Sequence, residues 1–449
     1  MSTPTTWDVM VVGGGPAGVS AAIAAARRGC RTLLVERYGF AGGMATAGLV
    51  NPFLGNHYRN PATGRDGSII HGIFEEVEER LKARGALLRF RYGGEDSPFS
   101  DAFDDAHLRI VYDDMLREAK VEVLFHACLA TVSAGKDGHL DAVNMHTKSG
   151  MKAFRAGAFI DCTGDADVAA FCGVPCDVGR DRDGLCQPTS TMFRMGGVDK
   201  ARLLAGTLRE ARERINQRFG EAKAAGRVYA PNRDALGVYE FPRAGVLQFN
   251  ATRMLGGPAL TSEEMTKAEI EGRRQTLALC EWLRAEVPEF KNAFLESIAT
   301  QIGIRETRRI RGLYRMAQRD IVEGGRFQDG IARSAYFIDI HNPTGTVDPH
   351  TEPGKPATLR EDFKPKRYYE IPFRCLVPEG MENLLVACRA ISTTFEAHAA
   401  TRVMATMHAG GEAAGIAAGL ARTGKLCLAN IKGQDVRREI GYLDQPLGF

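Results

Sequence analysis

The sequence predicts an α/β fold in which a domain with a parallel sheet and an antiparallel β-meander carries an inserted α+β domain. Three observations predict this class. Near the start of the chain, a short apolar run leads into a glycine-rich turn and an alanine-rich stretch. Two more apolar runs, around positions 160 and 385, end in small or polar residues. Between those runs, strand-like segments alternate with long charged segments of helical periodicity.

The composition is that of an ordinary globular protein. Of the 449 residues, 44% are hydrophobic and 25% are charged, and the formal net charge is +3. Lysine and arginine form no long basic run, so nucleic acid and membrane surfaces are not expected partners. The ten cysteines include no CxxC pair. This favours packed thiols in a cytoplasmic protein, with an iron–sulfur or zinc site as the alternative.

The first apolar segment has the length of a short membrane span. Residues 9–26 carry no charged side chain. A glycine–proline cluster at residues 13–16 interrupts them, however, and the N-terminus lacks the positive region and cleavage site of a secretion signal. We therefore predict a buried strand at Asp8–Val12 and a helix at Ala17–Arg28, joined by a tight turn.

The turn matches the G-x-G-x-x-G pattern of a Rossmann-like nucleotide-binding unit. The first glycine makes the tight turn, the second lets the backbone approach a pyrophosphate, and the third lets the helix lie close to the strand. Backbone N–H groups and the positive end of the helix dipole then hold the phosphates. The predicted cofactor contacts in this turn are Gly13, Gly15, Pro16, Ala17 and Gly18.

An acidic residue follows the second predicted strand, Thr32–Val35. This residue, Glu36, lies 23 positions after Gly13. A carboxylate there accepts hydrogen bonds from ribose hydroxyls and repels a 2′-phosphate, so NADP is not expected. Strand, turn, helix, strand and acid in this order are much more specific than the glycine pattern alone. NAD and FAD both remain possible cofactors on these residues.

A second glycine-rich loop begins directly after Glu36. A simple NAD domain would continue with another strand and helix, whereas this loop can lie along an extended dinucleotide toward an isoalloxazine ring. A glycine-rich surface loop without a ligand is the alternative. The predicted cofactor contacts in this loop are Arg37, Gly42, Gly43, Met44, Ala45 and Thr46.

Two distant segments favour FAD. Residues 159–165 form a strand that runs into a small-residue turn and an acid, and Asn383–Cys388 is a buried strand followed by an arginine. A helix of about 20 residues comes next. It contains Arg402 and is rich in glycine and alanine, and such small residues allow close packing on a sheet or a cofactor. Its N-terminus would face the flavin and stabilise negative charge on the reduced ring. The predicted contacts here are Thr163, Gly164, Asp165 and Arg389.

With these segments in place, the chain resembles the FAD-dependent oxidoreductases of the glutathione-reductase-like fold, flavoproteins with two dinucleotide-binding domains. More narrowly, it resembles a bacterial family with GGMATAGLV-type and DCTGDADVAA-type segments. The matching segments are Gly42–Val50, Asp161–Ala170, Arg305–Ile310 and Arg389–Met404. Cys388 is a departure, since the family more often has glycine before the arginine. The resemblance implies that backbone near Cys128 and Leu129 contacts the adenine.

The pattern predicts a Rossmann-like FAD-binding domain of residues 1–173 and 374–449, with an inserted α+β substrate domain of residues 174–373. In the first domain we predict helices at Ser68–Arg84 and from Asp104 or Asp105 to Ala119, and antiparallel strands at Val121–Phe125, Leu129–Val132, Leu140–His146 and Lys152–Ile160. In the second we predict strands at Ser190–Met195, Val246–Thr252 and Ala299–Ile304, a helix capped at Thr261 that runs to Glu286, and a long loop or lid at Pro343–Pro365.

His398 is the first catalytic candidate. It lies in the segment that passes the flavin in the resembled fold, and Arg402 lies four residues further on, on the same helical face. The pair can serve as a base or donor beside an anchor for a carboxylate. The alternative is that His398 only hydrogen-bonds backbone, while Arg402 caps a carbonyl or touches the FAD phosphate.

A second arginine-rich segment surrounds Glu306. On a helix, Arg305 and Arg309 would share a face and Arg308 the next, which is consistent with an anion site. Solvated or ion-paired arginines are the alternative. We also consider covalent attachment of the flavin through His57, which flanks the early glycine loop, but expect a noncovalent cofactor.

The sequence therefore predicts an FAD-dependent oxidoreductase that transfers a hydride between a small organic substrate and flavin N5. If the arginine site binds an anion, the substrate carries a carboxylate. The electron acceptor or donor is unidentified, and a homodimer is common at this chain length. The alternatives are a flavoprotein with net non-redox or cofactor-assembly chemistry and a flavin-binding sensor or scaffold. A monooxygenase is less expected, because we find no second nucleotide motif and no GDxxHxxxP segment.

Overall fold

The first half of the chain supplies most of the central sheet. The computed structural model describes residues 6–92, 97–135, 138–345, 351–352, 355–359 and 361–449. The strands in the first half are β1 (Thr6–Val12), β2 (Thr32–Val35), β3 (His57–Arg59), β4 (Asp66–Ser68), β5 (Leu87–Arg91), β6 (Phe99–Phe103), β7 (Glu122–Leu124), β8 (Cys128–Ala134), β9 (Leu140–Thr147) and β10 (Gly150–Asp161). The helices are α1 (Pro16–Arg27), α2 (Ile73–Ala83), α3 (Asp105–Glu118) and α4 (Asp167–Phe171).

The remaining elements form a second, smaller sheet and the C-terminal helices. The strands are β11 (Cys176–Val178), β12 (Phe193–Gly196), β13 (Gly237–Glu240), β14 (Leu247–Asn250), β15 (Phe294–Ile298), β16 (Arg308–Ile310), β17 (Gly330–Ser334), β18 (Thr351–Glu352), β19 (Lys355–Leu359), β20 (Tyr369–Pro372) and β21 (Leu384–Val386). The helices are α5 (Lys200–Leu203), α6 (Leu208–Ala224), α7 (Ser262–Glu286), α8 (Gln318–Val322), α9 (Phe395–Thr401), α10 (Met404–Gly424) and α11 (Gly433–Ile440).

The main sheet has seven strands, and β1 lies at its centre. Strand β1 pairs in parallel with β2 on one side and with β10 on the other, while β7 and β21 extend the parallel part. The first half of β10 turns away and pairs antiparallel with β9, which pairs with β8. The predicted α/β class, with a parallel sheet and an antiparallel meander, is confirmed.

Several sequence predictions of local structure are wrong. The segment at Val121–Phe125 is not antiparallel, because β7 pairs in parallel with β2. Helix α2 begins at Ile73 rather than Ser68, since β4 occupies the earlier residues and Gly72 has a φ of 69°. Ala299–Ile304 is not a named strand. Strand β15 lies before it, and Gly303 makes only an isolated bridge to Ser190.

The fourth correction concerns the C-terminal helix, which is broken rather than continuous. Helix α9 ends at Thr401, and α10 begins at Met404. Arg402 is therefore the C-cap of α9 and not a member of the long glycine-rich helix. The short helix α9 thus carries His398 and ends at the arginine that caps it, separate from the glycine-rich helix that follows.

Helix α10 packs directly on α1 through small residues. A Cβ atom at Gly411 would lie 2.0 Å from the carbonyl oxygen of Ala17, and one at Gly415 would lie 2.2 Å from that of Ala21. Larger side chains at these positions would hold the helices apart. The glycine–alanine pattern of α10 thus fixes the distance between the C-terminal third of the chain and the first helix.

A second hydrophobic core lies outside the main one. Its members come from the stretch between Phe193 and Ala293 and cover the four-stranded sheet β13-β14-β12-β15. Helix α7 of this unit starts with the predicted capping box, in which Thr261 and Glu264 bond each other's backbone N–H groups. Strands β17 and β20, by contrast, contribute Ile331 and Ile371 to the main core. The division into 1–173 with 374–449 and 174–373 stays a prediction.

The predicted loop at Pro343–Pro365 is only partly described. Strands β18 and β19 pair antiparallel within it, whereas residues 346–350, 353–354 and 360 lie outside the described residues. Among the helices that the structure describes, none combines the length and apolar character needed to cross a membrane.

The α1–α10 contact can be tested with two neighbouring glycines. Replacing Gly411 by alanine forces a methyl group into α1, and we expect the free energy of unfolding to fall by about 1–3 kcal/mol. A Cβ at Gly410 would meet no atom within 4 Å, so Gly410→Ala should leave stability unchanged or raise it slightly. Thermal unfolding measures both variants, and equal stabilities would contradict the close approach of the two helices.

Candidate active site

The first glycine turn forms an open cradle at the start of α1. A Cβ at Gly13 would lie 2.4 Å from the carbonyl oxygen of Cys162, and one at Gly18 would lie 1.9 Å from that of Gly13. A Cβ at Gly15, in contrast, would meet nothing closer than the Cα of Gly43 at 4.0 Å. No side chain of the described residues caps the start of α1. The turn is therefore tight where it packs and open where a phosphate would approach.

The second glycine loop lies directly against this cradle. The backbone N–H of Gly42 donates to the carbonyl of Gly14 at 2.7 Å, and a Cβ at Gly43 would lie 3.0 Å from the Cα of Gly15. Residues Gly43–Ala45 form a 3₁₀ turn, after which the hydroxyl of Thr46 donates to the carbonyl of Ala41. The structure thus brings together the two loops in which the sequence predicts cofactor contacts, including Met44.

Glu36 lies buried beside the same cradle. Its Oε2 accepts the backbone N–H of Gly14 at 2.6 Å, and its Oε1 accepts that of Tyr38 at 3.0 Å. The backbone of Ala127 donates to the carbonyl of Glu36, so the start of β8, with Cys128 and Leu129, adjoins this edge. The neighbouring Arg37 instead bonds the side chain of Gln301. Sequence reasoning missed Gln301, which lies far along the chain in no motif.

The turn after β10 closes the cradle from the other side. Its buried acid, Asp161, accepts both the N–H and the hydroxyl of Thr163 and the N–H of Ala169. Burial raises the pKa of Asp161 to about 6. Directly after Thr163, Gly164 has a φ of 93°, and a Cβ there would lie 2.8 Å from Nη1 of Arg389. The acid shapes a turn in which only a small residue fits beside the arginine.

Asp165 and Arg389 meet although 224 residues separate them. Their side chains form an ion pair, and Asp165 also accepts a hydrogen bond from the hydroxyl of Thr307 at 2.6 Å. Three distant segments therefore converge on one point next to the glycine turn. The open cradle at Gly15 and the start of α1, which no side chain of the described residues caps, fit the diphosphate of a dinucleotide, which the Rossmann-like unit requires.

His398 is fully buried beyond this cradle. Neither ring nitrogen has a hydrogen-bond partner among the described residues. Burial, followed by the charges of Arg309, Arg402 and Arg389, holds the pKa of His398 well below its usual range. The neutral imidazole is therefore favoured, and neither its donor nor its acceptor nitrogen is used within the described residues.

Arg402 caps α9 and points toward Asp339. Its guanidinium donates to the Asp339 carbonyl at 3.0 Å and lies 3.5 Å from the carboxylate, while its Nε has no partner among the described residues. The hydroxyl of Tyr336 donates to the same carboxylate at 3.0 Å. Sequence reasoning missed Asp339 and Tyr336, because the stretch after β17 carries no motif that would mark it.

Arg305 is buried among neutral oxygens. Its guanidinium donates to the carbonyl of Pro188, to the hydroxyl of Ser190 and, at 3.3 Å, to the side chain of Asn250. Burial, and then nearby Arg402, Arg233 and Arg253, lower the pKa of Arg305 to about 9. A buried cation with these neighbours favours an incoming anion.

The helical arrangement predicted for Arg305, Arg308 and Arg309 is wrong, since Arg308 and Arg309 lie in β16. Arg308 bonds the Asp165 carbonyl and pairs with Asp167 at 2.8 Å. Arg309 is fully buried and pairs with Glu306. Arg308 and Arg309 are thus ion-paired, as in the alternative interpretation, whereas Arg305 has neutral hydrogen-bond partners and lies near Arg402.

His57 lies in a separate buried network. Its Nε2 lies 2.5 Å from Oδ2 of Asp101, which also accepts hydrogen bonds from Asn56 and, through its other oxygen, from Arg89. Glu78 completes the network, and burial raises the pKa of Glu78 to about 9. Nε2 of His57 is thus engaged within the protein, and a noncovalent flavin stays a prediction.

Comparison with known proteins identifies the family. Residues 8–440 match the family described as FAD dependent oxidoreductase, and the chain belongs to that family. It is an enzyme whose cofactor is FAD.

Among solved structures, a flavin-dependent brominase is similar with a TM-score of 0.50 and 11% identity over 97% of this chain and 83% of that one. A geranylgeranyl bacteriochlorophyll reductase-like protein from Thermoplasma acidophilum has a TM-score of 0.48 and 14% identity over 98% of this chain and 84% of that one. At these identities, the brominase likeness shows the fold alone.

Because the cradle is open at Gly15, a substitution there should weaken FAD binding without changing the stability of the FAD-free protein. We expect Gly15→Ala to weaken FAD binding about ten-fold or more, because the methyl group occupies the path of the diphosphate at a cost of about 1–3 kcal/mol. The stability of the FAD-free protein should change by less than about 0.5 kcal/mol. Flavin fluorescence titration measures the affinity. Gly220→Ala in α6 is the control, because a Cβ there would meet no atom within 4 Å. Unchanged FAD affinity in Gly15→Ala would place the diphosphate elsewhere.

Proposed function

We propose that this enzyme transfers a hydride between flavin N5 and a small organic substrate, and that His398 handles the accompanying proton. The observation that carries the proposal is the buried imidazole of His398, whose two nitrogens have no partner among the described residues. A buried polar group is normally hydrogen-bonded. A molecule bound beside it, cofactor or substrate, would satisfy both nitrogens.

The cofactor would be held by the residues around the cradle. We propose that the glycine turn with Pro16 and Ala17 binds the diphosphate and that Glu36 accepts from the ribose. Bound FAD would supply the hydride acceptor or donor. The second loop, the turn at residues 163–165 and Arg389 would line the rest of the dinucleotide, and the backbone of β8 would adjoin the adenine.

The substrate side of the proposal rests on the neighbours of His398. Arg402 lies one helical turn away on α9, and Arg305 lies near Arg402 among neutral acceptors. Two buried guanidinium groups suit a carboxylate, which accepts several hydrogen bonds and compensates their charge. A small carboxylate-bearing molecule is therefore the substrate that this arrangement favours.

The narrower resemblance stays part of the proposal. The GGMATAGLV-type and DCTGDADVAA-type segments lie in the second glycine loop and in the turn after β10, where they adjoin the cradle. This placement supports the bacterial subfamily, and with it the glutathione-reductase-like arrangement. A cytoplasmic location, a homodimer and a separate electron acceptor or donor also stay predictions.

The two other candidate functions do not require His398 to accept a proton during hydride transfer. A sensor or scaffold needs FAD but no proton transfer, and non-redox chemistry needs the flavin only as a positioning group. Neither explains why a buried imidazole beside three arginines is left without a partner among the described residues. Hydride transfer does, because a proton must leave the substrate heteroatom as the hydride leaves its carbon.

The test is anaerobic flavin reduction by a panel of small hydroxy and amino acids. With a substrate that bleaches the oxidised flavin, we expect His398→Gln to reduce the rate about 10²- to 10⁴-fold with FAD content unchanged. His146→Gln, at an exposed position of β9, is the matched control. Bleaching by no member of the panel, or an equal rate in His398→Gln, would count against the proposal.

A further inference from the structure

Resting on this proposed function, we propose that Arg305 and Arg402 bind a carboxylate next to the reacting carbon, and that this anion enables His398 to accept the substrate proton. The substrate class is then a 2-hydroxy or 2-amino carboxylate. The inference assigns the arginines a role in proton transfer as well as in binding.

Three cations surround His398 from three elements. Arg309 comes from β16, Arg389 from the segment after β21, and Arg402 from the end of α9. Each has a carboxylate partner. The ion pairs are Arg309 with Glu306, Arg389 with Asp165, and Arg402 with Asp339. Within each pair the positive and negative formal charges cancel.

Arg305 adds a positive charge to this balanced set. The hydrogen-bond partners of Arg305 in the described chain are neutral: a carbonyl, a hydroxyl and an amide oxygen. Arg402 retains an Nε–H without a partner among the described residues. An anion between Arg305 and Arg402 would take up this donor and offset the additional charge. A carboxylate has the two oxygens that such a position requires.

The anion changes what His398 can do. Without it, a second proton on the imidazole would place an additional positive charge in a buried site among guanidinium groups, which is strongly disfavoured. With it, the imidazolium gains a nearby negative charge. A molecule of the same shape without a carboxylate would therefore fit the site and still not lose its proton efficiently.

The short distance along α9 sets the position of the carboxylate. Side chains four residues apart on a helix have Cβ atoms about 5–6 Å apart. Arg402 can thus bind the carboxylate of a small molecule while His398 accepts a proton from the adjacent part of the same molecule. As the C–H bond at position 2 breaks and C=O or C=N forms, the O–H or N–H proton goes to His398. Bound FAD would accept the hydride with its two electrons, so this half-reaction needs no other oxidant.

The first experiment measures proton binding by His398 in the FAD-loaded protein by NMR, with and without saturating acetate. We expect acetate to raise the pKa of the His398 imidazole by at least about one unit. Arg402→Gln should abolish the acetate effect, and Arg402→Lys should restore part of it by restoring the charge. Arg209→Gln, an exposed arginine on α6, is the control. A wild-type pKa that does not move with acetate would overturn the inference.

A second experiment separates this inference from the proposed function. The rate of anaerobic flavin reduction is compared for a 2-hydroxy acid or 2-amino acid and its methyl ester. We expect the ester to react at least about 100-fold more slowly at saturation, which corresponds to about 2.7 kcal/mol. Equal rates would overturn the inference while leaving hydride transfer in place. An acetate effect on His398 without flavin reduction by any acid would support the anion site and overturn hydride transfer.

Discussion

The close packing of α1 on α10 is the constraint on which the site depends. The glycines of α10 let it lie against the backbone of Ala17 and Ala21, in the helix that starts at the glycine cradle. Strand β21 meanwhile pairs with β10 and delivers Arg389 to the turn at Asp165. The C-terminal third is thus fixed to the first thirty residues by backbone contact. Helix α9, with its histidine and arginine, is held in place by this arrangement.

The sequence was informative where local physics decides the structure. A glycine turn between an apolar strand and an alanine-rich helix has few other uses, so the cradle, Glu36 and the parallel strands could be derived without coordinates. The capping box of α7 and the helix from Asp104 are similar cases, because a side chain bonds backbone a few residues away. The family resemblance then extended these local results to segments hundreds of residues apart.

The remaining errors come from contacts that no local pattern encodes. The arginines around Glu306 look helical by spacing, but strand pairing of β16 with β11 sends Arg308 and Arg309 to different partners. The sequence did not predict the break between α9 and α10, because the alanine, arginine and methionine residues around it are good helix formers. Asp339, Tyr336 and Gln301 gain their roles only through tertiary neighbours. Predicting them requires knowing which loop lies over which strand.

Arg305 is held by oxygens of Pro188, Ser190 and Asn250, close to or within the sheet with its own core, whereas His398 and Arg402 stand on the helix tied to the main sheet. The two sides of the proposed substrate site, one with Arg305 and the other with His398 and Arg402, are therefore supported by different hydrophobic cores. Under the proposed function, substitutions in the smaller core would alter the wall that contacts one end of the substrate while leaving the proposed FAD contacts unchanged. Substrate specificity could then change during evolution while the FAD-binding residues of the main sheet are kept.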